Sequence, residues 1–148
     1  IKNKQFGTKQ LNKDWGYDNW TKLVNKLNSN YLFIQSVHSS SQLIEGTFNP
    51  GNLSFRQACA VMKKSDIYMG LEGGFVQVAG ALGKKAIVYF GGWISPDIIG
   101  YDFHENIYYD NEISPCGEYG SLCSHCEDAR KFISVEMFIE KIEKIFCK

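Results

Sequence analysis

Residues 65–92, SDIYMGLEGGFVQVAGALGKKAIVYFGG, place one carboxylate, Glu72, before two bare glycines, Gly73 and Gly74, between an apolar segment and a run of small residues. Glycines let a ligand approach the backbone closely. A helix starting there would turn unpaired N–H groups and the positive end of its dipole toward a phosphate. Glu72 cannot itself bind phosphate, so its chemistry would be to accept hydrogen bonds from sugar or ribose hydroxyls, or to orient the loop. The same residues also suit a plain tight turn between strand and helix. A second group that could do chemistry is Cys116, Cys123 and Cys126, within SPCGEYGSLCSHCEDA. The two-residue gap lets Cys123 and Cys126 face one point, as in a zinc knuckle, and His125 and His104 are close in sequence. No fourth ligand is evident, and Cys59 could complete a set only if the fold brings it there. The cluster therefore reads either as a structural metal site, for zinc or iron, or as reduced thiols. After the second apolar run come Trp93, Tyr101, Phe103 and His104, which could wall a nucleobase or sugar pocket or simply pin a long loop. Arg56 could approach a phosphate or lie solvated on a helix.

The elements that must position these groups follow from hydrophobic period. Trp15, Trp20, Leu23, Val24 and Leu27 recur at helical spacing, with Asp14 placed as an N-cap. Residues 30–37, NYLFIQSV, read as a buried strand, and 38–53 as loop. Ser54 caps a second helix whose inner side carries Phe55, Ala58, Cys59 and Met62. A strand over 66–70 leads into Glu72, Gly73 and Gly74, then a helix over 75–82 closed by Gly83. Residues 85–92 form the clearest strand, continuous and apolar as one covered on both faces should be. NIYY, 106–109, is a further short strand, and Ser134 caps a last helix. Helices alternating with apolar strands predict an α/β fold: a Rossmann-like parallel sheet with helices on both faces, the strand 85–90 central.

Bulk properties bound the function. The chain of 148 residues suits a single domain, 1–148, and its 44% hydrophobic content excludes disorder. No apolar run approaches the roughly 20 residues of a membrane span, and no signal peptide opens the chain, so the expectation is a soluble, cytoplasmic protein, at most peripheral to the inner membrane. Net charge is zero, yet residues 1–30 carry six Lys against two Asp, while 101–148 carry ten acids against five bases. A basic opening could meet an anion, whereas overall neutrality argues against a nucleic-acid binder. The text starts without Met, which predicts a piece of a longer protein.

Three landmarks in order carry a resemblance: KDW leading a helix, an acidic-x-Gly signature between strand and helix, and ALGKK turning into an apolar strand that ends in Gly. With these, nearly the whole chain resembles the C-terminal, donor-binding domain of heptosyltransferase-like glycosyltransferases of family 9. The resemblance implies one half of a GT-B fold and inverting transfer from a nucleotide sugar, such as an ADP-activated heptose, with no metal needed for catalysis. It implies that Lys13 meets the diphosphate as a point charge and that Glu72, Gly73 and Gly74 form the donor loop. Family members often carry Cys where the cluster lies here. The family usually has a His five residues after the acid; this chain has Gln77, which can donate a hydrogen bond but cannot carry charge near neutral pH. The catalytic base is expected in an N-terminal domain that would also bring the glycan or protein acceptor, so the residues here should bind and not turn over. Two other readings stay open: a non-catalytic nucleotide- or sugar-binding module, and a metal-stabilised interaction domain.

Overall fold

The computed structural model describes residues 11–36, 42–118 and 123–146. After a 3-10 turn at Leu11–Lys13 the elements are α1 (Tyr17–Leu27), α2 (Phe55–Lys64), β1 (Tyr68–Leu71), α3 (Gly74–Ala81), β2 (Ala86–Gly91), α4 (Pro96–Ile99), β3 (Glu105–Tyr108), α5 (Ser124–Phe132) and α6 (Val135–Phe146). The three strands form one parallel sheet in the order β1-β2-β3. The expected α/β class and the central place of the strand over 85–90 are what the chain adopts.

β2 is buried along its whole length, because its alternate residues enter two cores. On one face Ile87 and Tyr89 meet Trp15, Leu23, Ile133, Phe138 and Ile142, contributed by α1, α6 and the segments that lead into them. On the other, Ala86, Val88 and Phe90 meet Met62 of α2 and Val76 and Ala79 of α3. Helices thus cover both faces of the sheet, which is why β2 reads as an unbroken apolar run. Ser54 caps α2 through a full capping box with Gln57.

Two local expectations fail. Asp14 does not cap α1. The cap position is Gly16, at φ 98°, and Asp14 instead accepts the Gly16 N–H at 2.9 Å. This spacing frees Trp15 from the helix to enter the core, where it donates to the Ile133 carbonyl at 2.8 Å and stacks 4.2 Å from Phe138.

Nor are residues 30–36 a buried strand; Val37, the last residue of that expectation, lies outside the described residues. Only a single bridge, Ile34 to Phe48, forms there, and Leu32 is 75% exposed. The backbone bonds of the segment go to the loop that follows it: Gln35 N–H donates to the Phe48 carbonyl and Phe48 N–H to that of Phe33. With those groups spent locally, the segment does not extend the sheet, and it lines a cleft of about 900 Å³ with α2 and β1, among Leu32, Ile34, Val61, Tyr68 and Phe146.

Candidate functional site

Glu72 directly follows β1, and its N–H still donates to the Tyr89 carbonyl of β2, at 3.1 Å, so its position is an extension of the sheet. Gly73 comes next at φ 144°, a conformation few side chains tolerate, and turns the chain into α3. No side chain caps α3; Val76 and Gln77 N–H both fall on the Gly73 carbonyl, which leaves the amides of Gly74 and Phe75 without a partner inside the helix. A Cβ built on Gly73 or Gly74 would meet nothing within 4 Å. The φ of Gly73 accounts for that glycine, but nothing in the surrounding protein demands a bare backbone at Gly74.

Lys13 reaches this spot from the other end of the chain. Its Nζ lies 2.7 Å from Glu72 Oε1, and 4.6 Å from the centre of the Trp93 ring. Trp93, just past β2, donates its indole N–H to the same Glu72 oxygen at 2.9 Å. The Glu72 side chain is 2% exposed and that of Lys13 20%. Lys13 is held on both sides: Asn12 is tied to the cysteine loop, the Asp14 carbonyl accepts from Arg130 Nε at 2.7 Å, and Trp15 is locked in the core. The resulting rim is a buried carboxylate, a cation and an indole converging beyond the carboxyl ends of β1 and β2, beside the start of α3. Ligands of open parallel sheets sit at such an edge. Burying the Glu72 carboxylate is costly even beside a partly exposed cation, and such a pair is weak as a stabilising device, so its presence suggests another reason. Residues 1–10 of the basic opening lie outside the described residues.

The other candidates separate. Both ends of the Gln77 amide are engaged: its Nε2 donates to the Ile99 carbonyl at 3.1 Å and its Oε1 accepts from the Tyr101 hydroxyl at 2.9 Å. It clasps the end of α4 and the residues after it onto α3. Tyr101 itself lies over Gly80, where a Cβ would collide with its ring. Tyr101, Phe103 and His104 therefore do not join the rim. The chain must return to the amino end of the sheet to begin the parallel β3, and His104 Nε2 sits there, 3.1 Å from the Lys84 carbonyl. Burial lowers the His104 pKa, against the opposing pull of that carbonyl. Of the aromatic group only Trp93 stays at the edge, and Arg56 is exposed on α2.

Cys116, Cys123 and Cys126 do come together, their sulfurs all within 4.8 Å of one another. Cys116 Sγ lies 3.4 Å from Cys126 Sγ and 3.7 Å from Cys123 Sγ. The three thiols are close enough to share one metal ion. Burial, with the two neighbouring thiols, drives the Cys126 pKa far up. Burial also raises that of Cys123, but the amide of Cys126, the neighbouring thiols and the amide of His125 outweigh it, and the net direction is down. Cys59, half-buried on α2, is not in the group. Neither are the two histidines: His125 Nε2 lies 2.9 Å from Ser114 Oγ and 3.1 Å from the Gly92 carbonyl, and His104 is at the far edge.

Asn12 is the residue the sequence reasoning missed. It is 4% exposed, and both ends of its amide reach across more than 100 residues of sequence. Its one legible signal is that it precedes Lys13. The helix α5, which carries Cys126 and Arg130, was not anticipated either.

No family model matches the chain, and neither a curated protein nor a solved structure matches it. Among the described residues, no helix is long and apolar enough to cross a membrane.

Proposed function

We propose that this chain binds the diphosphate of a nucleotide sugar at the Lys13–Glu72–Trp93 rim, as the donor-binding domain of an inverting, heptosyltransferase-like glycosyltransferase of GT-B type. One observation carries the reading: a buried carboxylate with a cation and an indole converging on it adjoins a helix start whose Gly74 is bare without a packing reason. In this account the amides of Gly74 and Phe75 take phosphate oxygens, where the helix dipole favours negative charge. Lys13 has three donors and spends one on Glu72, so it can hold the carboxylate and a phosphate oxygen together. Both rim bonds use Glu72 Oε1, and Oε2 is the acceptor for a ribose or sugar hydroxyl. Transfer would use no metal at the rim. The catalytic base and the glycan or protein acceptor would come from a further domain.

Calorimetric titration of the chain with adenosine, AMP, ADP and an ADP-sugar tests this. The expected order is no detectable heat from adenosine, weak binding of AMP and tighter binding of ADP and the ADP-sugar, weakened further as salt rises. Equal affinity for adenosine and ADP would sink the diphosphate reading. The clasp that Gln77 makes with Ile99 and Tyr101 favours a second reading, a binding module without turnover, because the position at which the resemblance implies an imidazole serves the loop instead. Turnover by the domain joined to its acceptor half would decide between them.

A further inference from the structure

The cysteine cluster and the rim are joined through the backbone. Cys116 N–H donates to the Gly92 carbonyl at 3.0 Å, and the next amide, Gly117, donates to the carbonyl of Trp93 at 3.1 Å. From the other side, Cys123 N–H donates to Asn12 Oδ1 at 3.2 Å, while Asn12 Nδ2 donates to the Glu118 carbonyl at 2.6 Å. The loop bearing Cys116 and Cys123 therefore grips the residue before Lys13 and the backbone of Trp93. Besides these bonds, the two ends of the loop meet at their sulfurs: Cys116 Sγ lies 3.7 Å from Cys123 Sγ and 3.4 Å from Cys126 Sγ at the start of α5.

We propose that Cys116, Cys123 and Cys126 bind one divalent ion of zinc type as three thiolates, and that this ion clamps the loop which sets Lys13 and Trp93 against Glu72. Metal–sulfur bonds of about 2.3 Å in a tetrahedron put the sulfurs about 3.8 Å apart. The separations of 3.4 and 3.7 Å are close to that spacing and far longer than a disulfide bond of about 2.0 Å, and the third pair lies within 4.8 Å. Each ligating thiol releases its proton to solvent as the ion enters, and no electron is transferred. Among the described residues the set has three members, and a fourth ligand from water or from elsewhere in the protein would complete the tetrahedron. The clamp stands independently of the nucleotide reading; its effect on donor binding rests on that reading.

The test uses the whole chain, purified without chelator. Elemental analysis should find one ion per chain in the wild type and none in Cys123→Ser, and cobalt exchanged for the native ion should show thiolate-to-metal charge-transfer absorption. Stripping the ion from the wild type should speed amide exchange at residues 12–15 and 92–95 by roughly tenfold or more, with β2 unchanged, and zinc should restore the protection. Asn12→Ala should keep the ion and loosen residues 12–15 alone, which separates the clamp from any failure of the cysteine variant to fold. No bound ion after reconstitution with zinc or ferrous iron, or a disulfide between two of these cysteines that persists in protein purified with a reductant, would overturn the site. A bound ion whose removal leaves exchange at the rim unchanged would overturn the clamp. An intact clamp in a chain that ignores every nucleotide would sink the donor reading and leave this one standing.

Discussion

Two regions flank β1, an apolar cleft and a polar rim, and they differ in kind. The cleft along its outer edge encloses about 900 Å³ and has Leu32, Ile34, Val61, Tyr68 and Phe146 among its walls. The rim at its carboxyl end is small and polar, built from residues 13, 72 and 93 with bonds of 2.7 to 2.9 Å converging on one oxygen. The cleft exists because residues 31–36 spend their backbone bonds on the loop after them; the rim exists because three distant segments are held to one point. Size marks where the sheet lacks a neighbour. Convergent charge, bought by desolvation, marks where chemistry is available.

The contrast can be broken at the base of the rim. Phe138 is fully buried and stacks on Trp15, which in turn fixes Lys13. Phe138→Ala should lower unfolding stability by about 3–5 kcal/mol, measured by denaturant titration, and should weaken rim binding with it. A loss under about 1 kcal/mol would mean that Trp15 is held by other contacts. The smallest effect belongs to the cleft. Leu32→Ser removes an apolar side chain that is already mostly in water, so stability should stay within about 0.5 kcal/mol and nucleotide affinity should not move. A change of several-fold in affinity would transfer the functional argument from the rim to the cleft.

How much was legible beforehand differs between the same two regions. β2 and the turn at Glu72–Gly74 were readable because both signals are local: a continuous apolar run needs two covered faces, and adjacent glycines between strand and helix mark a turn, which Gly73 makes at φ 144°. Residues 30–37 misled for the same reason. Their composition announces burial, but a strand needs a partner, and composition names none. Lys13 entered through the resemblance alone, since a lysine in a basic opening has no local mark that sends it to Glu72. Asn12 and the rim role of Trp93 depend on contacts spanning 21 to more than 100 residues, which no period in the sequence encodes. Ser124–Phe132 escaped notice because its nine residues are mostly polar and no side chain caps its start. The thiols were legible as a cluster, yet their link to the rim runs through backbone amides.

The central claim is that the rim is an anion site, and calorimetry of ADP binding to Lys13→Ala and Gly74→Val beside the wild type tests it most directly. Lys13→Ala should lose about 1–3 kcal/mol of affinity, the range for a charge-assisted hydrogen bond. Gly74→Val should abolish binding while the fold holds, because a Cβ there meets no protein atom within 4 Å and obstructs only what comes from outside. Wild-type affinity in both variants would contradict the account and reduce Glu72–Gly74 to a turn.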